Sequence, residues 1–94
     1  MAEPFIIRGE IDVATAPGLG AELLAHAVST TGDLVLDCSE MTFLDSSGLR
    51  ALVFVVRRLR QEGRNCSMTN VDEACRRPIE ISGLASLFGL PDRV

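Results

Sequence analysis

The run Asp45-Ser46-Ser47-Gly48 sets two hydroxyls beside a carboxylate, just ahead of a helical pattern. Small polar residues there accept hydrogen bonds from the free N–H groups of a first helical turn. The same position presents a hydroxyl where an anion is tolerated, so an added phosphate would mainly change what a partner meets. By residue type alone both readings stand. Hydrolysis does not fit: the run is not a Gly-x-Ser-x-Gly elbow. A serine nucleophile also needs a positioned base, and the single histidine, His26, lies on another expected helix. The chain is therefore expected not to be an enzyme, with no catalytic residues. Glu10 and Asp12 lie two apart on an expected strand and would share a face. They suit an acid pair, a solvated strand end or a partner contact. Cys38, Cys66 and Cys75 are scattered, with no Cys-x-x-Cys pair, and are read as reduced structural thiols rather than metal ligands. Gly18-Leu19-Gly20 lacks the third glycine of a dinucleotide fingerprint and no Walker motif is present, so the expected cofactors are none.

These residues need elements to hold them. Leu34-Val35-Leu36 is continuous rather than alternating, which predicts a strand covered on both faces. Ser39-Glu40 reads as a short polar turn before a second apolar run. At about 3.6 residues per turn, Leu49, Leu52, Val53, Val56 and Leu59 form one helical stripe, with Arg50, Phe54, Arg57, Arg58 and Gln61 opposite. Phe54 on that far side is either an edge of the core or an exposed anchor for a partner. Gly63 ends the helix. Upstream, Phe5 to Asp12 reads as a strand leaving its sheet near Gly9. Thr15 caps a helix with Pro17 in its first turn. Downstream, Cys66-Ser67-Met68-Thr69 reads as a short strand. A helix capped by Asp72 and ended by Gly83 follows, kinked at Pro78 or starting there. Leu84, Leu87, Phe88 and Leu90 are core contacts, and Pro91 to Val94 a frayed end.

Strands alternating with helices imply parallel βαβ units. Ninety-four residues suit one domain, 1–94, and 47% hydrophobic content suits a folded core. No apolar run is long enough to span a bilayer and no secretion signal is evident, so a cytoplasmic protein without membrane insertion is expected. Asn65-Cys66-Ser67 is then a chance sequon. A net charge of −4 argues against nucleic acid as a partner. Arg57, Arg58, Arg60 and Arg64 are a local exception and read as a solvated helix end.

The run from Leu36 to Leu49, containing Leu36-Asp37-Cys38-Ser39 and Leu44-Asp45-Ser46-Ser47-Gly48-Leu49, resembles the signature of STAS-domain anti-sigma factor antagonists. So do Gly9-Glu10-Ile11-Asp12-Val13-Ala14-Thr15-Ala16-Pro17 and Ile81-Ser82-Gly83-Leu84-Ala85-Ser86-Leu87-Phe88, in the family's order. The resemblance implies an α/β STAS-like fold: a small sheet of three to four mostly parallel strands with helices packed on it. The family's first strand has no counterpart before Phe5, which leaves an exposed edge and, through it, a homodimer as a further expectation. The resemblance also implies a bacterial phosphoprotein of transcription regulation. It acts by partner switching, with Ser46 as the phosphoacceptor. Its partners would be an anti-sigma factor with serine kinase activity, bound in the unphosphorylated state to release a sigma factor, and a serine phosphatase. The expected partner-binding set is Asp45, Ser46, Ser47, Gly48, Arg50, Phe54, Glu10 and Asp12. Arg50 and Phe54 stand where the family more often has small residues. The alternative is a STAS-type, non-phosphorylated accessory subunit of a membrane transport system, in which Ser46 is only a cap.

Overall fold

The computed structural model describes residues 3–91. Three strands, β1 (Phe5–Ile11), β2 (Leu34–Leu44) and β3 (Cys66–Thr69), form one parallel sheet in the order β1-β2-β3. Helices α1 (Ala16–Ser29) and α2 (Ser46–Gln61) make the two crossovers. Helix α3 (Glu73–Ile81) and a 3₁₀ turn, Ala85–Phe88, follow β3. The expected α/β class and parallel sheet are what the chain adopts.

The core lies between one face of the sheet and the helices. It is built from Ile7 and Ile11 on β1, Leu36, Cys38, Met41 and Leu44 on β2, and Met68 on β3. Leu23 of α1, Leu52, Val55, Val56 and Leu59 of α2, Ile79 of α3 and Phe88 close over them. Each fully buried aliphatic side chain contributes about 1.5–3 kcal/mol relative to exposure.

Two expectations about β2 are corrected. Leu34, Leu36 and Cys38 are buried, whereas Val35 and Asp37 are only half-buried, so the strand is not covered equally on both faces. Ser39-Glu40 is no turn, because β2 runs unbroken from Leu34 to Leu44. The pairing with β1 slips between Ile6 and Arg8 and again between Gly9 and Glu10, each time with an extra residue on β2. Such bulges bend a strand and re-aim its side chains. They produce two exposed pairs, Ser39-Glu40 and Thr42-Phe43, and return Met41 and Leu44 to the core. Gly9 supplies the left-handed backbone at the second slip, with φ of 75°.

On α2 the buried stripe contains Val55, while Val53 is half-buried, a small rotation from the expected face. α3 runs through Pro78 rather than starting there, and the Asp72 carboxylate caps it by accepting from the Cys75 N–H at 2.8 Å. Leu84 and Leu87 are half-buried while Phe88 and Leu90 are buried. The expected frayed end falls outside the described residues from position 92 onward. Arg64 is no solvated helix end. Its guanidinium donates to the carbonyls of Gly32 at 2.7 Å and Ala27 at 2.8 Å, and to Thr30 Oγ1 at 3.2 Å. It thereby clasps the α1–β2 loop to the end of α2.

Candidate functional site

Two chain segments meet at the carboxyl ends of the parallel strands, where ligands of open α/β sheets gather. One is the turn from β1 into α1, and the other is the junction of β2 with α2. They are tied by backbone, with the Asp45 N–H donating to the Ile11 carbonyl at 3.2 Å.

Asp45 is the N-cap of α2. Its carboxylate accepts from the Gly48 N–H at 3.0 Å, and its carbonyl accepts from the Leu49 N–H at 2.9 Å. The cap is therefore the aspartate and not a serine. Ser46 is the first residue of the helix and is exposed; Ser47 follows, half-buried. Neither hydroxyl hydrogen-bonds another described residue, so Ser47 does not make the backbone bond its position suggests. Their surroundings differ. Ser47 lines a groove between α1 and α2, and Ser46 does not. Successive helical residues turn by about 100°, which separates the two hydroxyls.

Gly48 is buried, beneath the surface on which the sequence places it. A Cβ there would stand 2.5 Å from the Ile11 carbonyl oxygen. Only hydrogen fits, and the first turn of α2 comes down onto the end of β1 because of it.

The acidic pair is not a pair. β1 ends at Ile11, so Asp12 lies in the turn rather than on the strand face of Glu10. Its Oδ1 accepts from the N–H groups of Ala14 at 2.9 Å and Thr15 at 3.1 Å. These bonds, the Thr15 N–H foremost, hold the Asp12 carboxyl below its ordinary range. Thr15 does not cap α1 with its side chain. Its hydroxyl donates to the Glu10 carbonyl at 2.7 Å and accepts from the Asp12 N–H at 2.9 Å, which pins the turn. Glu10 itself is exposed and forms no ion pair among the described residues.

The α1–α2 groove measures about 460 Å³ and is largely apolar. Val13, Pro17 and Leu24 line one side; Ser47, Arg50 and Phe54 line the other. Val13 and Phe54 are 74% and 61% exposed, so the groove has apolar lips in open solvent. Phe54 is thus outside the core. Val13 is a residue that sequence reasoning missed, although an exposed valine in a turn of Asp, Ala and Thr is a visible signal. Arg50, Arg57, Arg58 and Arg60 are exposed on α2, and none forms an ion pair among the described residues.

The cysteines are buried and unpaired. Burial pushes the thiols of Cys38 and Cys66 up to about 12 and that of Cys75 to about 11, the Asp72 carboxylate adding to the last. Thiols held protonated are poor nucleophiles. Among the described residues no cluster of three or more His, Cys, Asp and Glu is placed to hold a metal ion. No described helix is long and apolar enough to cross a membrane.

Comparison with known proteins agrees with this fold. The anti-sigma-B factor antagonist of Staphylococcus epidermidis is 31% identical over 82 residues, which cover 87% of this chain and 76% of that protein. The anti-sigma-B factor antagonist of Bacillus subtilis strain 168 is 30% identical over 84 residues, covering 89% and 76%. The structure of the anti-sigma factor antagonist SpoIIAA in its unphosphorylated form superposes with a TM-score of 0.72 at 19% identity, over all of this chain and 84% of that one. That likeness speaks for the fold. The STAS domain profile matches residues 5–94, and with a bulged parallel sheet and a serine opening α2, the chain belongs to the STAS domain family.

Proposed function

We propose that this protein is an anti-sigma factor antagonist switched by phosphorylation at Ser46. The observation that carries the reading is the Ser46 hydroxyl: exposed, free of hydrogen bonds to described residues, and fixed at the first turn of a helix capped by its neighbour. The names of the relatives support the antagonist role. In the unphosphorylated state the surface formed by Ser46, Arg50, Phe54 and Val13 docks on an anti-sigma factor that is also a serine kinase, and the sigma factor is released. The kinase then transfers the γ-phosphoryl of ATP to Ser46 Oγ. The hydroxyl proton passes to the kinase and ADP leaves. A phosphatase hydrolyses the ester and restores the binding form.

The electrostatics favour a large effect. Phosphate adds about −1.5 to −2 charge. It would stand beside Asp45 on a chain of net charge −4. An interface formed on a neutral hydroxyl then encloses a desolvated charge, and about 2.7 kcal/mol lowers affinity a hundredfold. Phosphorylation by the cognate kinase and ATP, followed by site-resolved mass spectrometry, tests the assignment. One phosphate on Ser46 is expected. Phosphate mainly on Ser47, or none, defeats it.

A further inference from the structure

Arg50 is four residues beyond Ser46 on a continuous helix, so the two side chains occupy the same helical ridge. Long side chains in a helix lean toward its N-terminus, which puts the first turn within reach of the Arg50 guanidinium. The helix is regular there, as the Leu49 N–H to Asp45 carbonyl bond shows. Arg50 is exposed and forms no ion pair among the described residues, unlike Arg8 with Glu40 and Arg76 with Glu80. The nearby acids do not claim it. Asp45 turns a carboxylate oxygen to the Gly48 N–H, Asp12 turns its own to Ala14 and Thr15, and Glu10 forms no ion pair. The chain thus keeps an unpaired guanidinium within helical reach of a free hydroxyl, on an acidic protein.

We infer that Arg50 is an internal receptor for the phosphate on Ser46, and that it changes allegiance when the phosphate arrives. This rests on the reading of Ser46 as the phosphoacceptor. Without phosphate, Arg50 faces outward at the mouth of the α1–α2 groove and offers its fork to an acidic group of the partner. With phosphate, the guanidinium folds back onto the dianion one turn away. The partner loses a cation as well as meeting an anion. The modification therefore acts through two residues, and Arg50 holds the phosphorylated state in a defined pose.

The test does not need the kinase. The whole chain is produced with phosphoserine encoded at position 46, as wild type, Arg50→Gln and Arg57→Gln. Phosphorus NMR follows the second ionisation of the phosphate, near about pH 6. Both arginines are exposed, and Gln keeps much of the side-chain stem. Arg50→Gln is expected to raise that pKa by about half a unit, and added salt to shrink the difference. Arg57→Gln is expected to leave it near the wild-type value. An unchanged pKa in Arg50→Gln overturns the inference. So does an equal rise in Arg57→Gln, because general helix charge would then account for the effect. Failure of the kinase to modify Ser46 would instead strike the proposed function, in a separate experiment.

Discussion

At the first turn of α2, adjacent residues divide the work. Asp45 holds the helix end, Ser46 faces solvent, Ser47 faces the groove and Gly48 allows close packing. Mutations should separate these roles. Asp45→Ala is expected to cost about 0.5–2 kcal/mol of stability through loss of the cap. Ser46→Ala is expected to change stability by less than about 0.5 kcal/mol, since its hydroxyl holds nothing. Urea melts on the two variants check the difference. Ser46→Ala should bind the partner constitutively and Ser46→Asp weakly, and calorimetry on the pair checks that. Gly48→Ala is expected to cost about 1–3 kcal/mol or more, because the added methyl meets backbone at Ile11 rather than a yielding side chain. The sequence makes the cap legible as a cluster of capping residues. It cannot say which member caps, because that depends on where β2 stops. Nor does it reveal that Gly48 touches Ile11, a contact made only when β1 and α2 meet.

At the scale of elements, local period is legible and long-range pairing is not. The repeat of Leu49, Leu52, Val56 and Leu59 identifies α2 and sets Phe54 outside it. The structure agrees on both, and the remaining shift from Val53 to Val55 is within the width of an apolar stripe. The bulges of β2 are invisible in its own residues because they are set by register against β1, a pairing that spans more than 30 positions. The clasp of Arg64 has the same character, since its acceptors, Ala27 at the end of α1 and Thr30 and Gly32 in the loop after it, lie 32 to 37 positions away. Arg64→Ala should strand the buried Ala27 carbonyl and the half-buried Thr30 hydroxyl, while water replaces the bond at exposed Gly32, and cost about 1–3 kcal/mol, read by chemical denaturation. Phe54→Ala should cost no more than about 1 kcal/mol of stability, because the residue is 61% exposed and outside the core. The same change should weaken partner binding by about 2 kcal/mol if the ring anchors the docked surface. A thermal melt and a binding titration on that variant separate the two effects.

Composition gives the whole molecule an unusual alkaline response. All nine basic residues other than His26 are arginines, and there is no tyrosine. Above about pH 8.5, the titrating side chains below the arginine range are therefore the cysteines. In the folded chain burial raises all three thiols, to about 11 or 12. In the unfolded chain they ionise near about 8.5, so the unfolded state binds fewer protons over that window. The stabilisation is full below the unfolded value and is lost as pH rises toward the folded ones. Stability is expected to fall between about pH 8.5 and 11, with urea midpoints under reducing conditions as the check. The same burial should leave the native thiols unreactive to a disulfide reagent at neutral pH. The edge of β1 is open among the described residues, and sedimentation of the whole chain will show whether a second copy pairs there.

The most direct test concerns affinity in the two states of a single oxygen atom. The anti-sigma factor captured by the unmodified chain is titrated calorimetrically with that chain and with the chain carrying phosphoserine at position 46. A loss of affinity of about a hundredfold or more, equivalent to about 2.7 kcal/mol, is what the switch at Ser46 requires. Equal affinity for the two forms would contradict it.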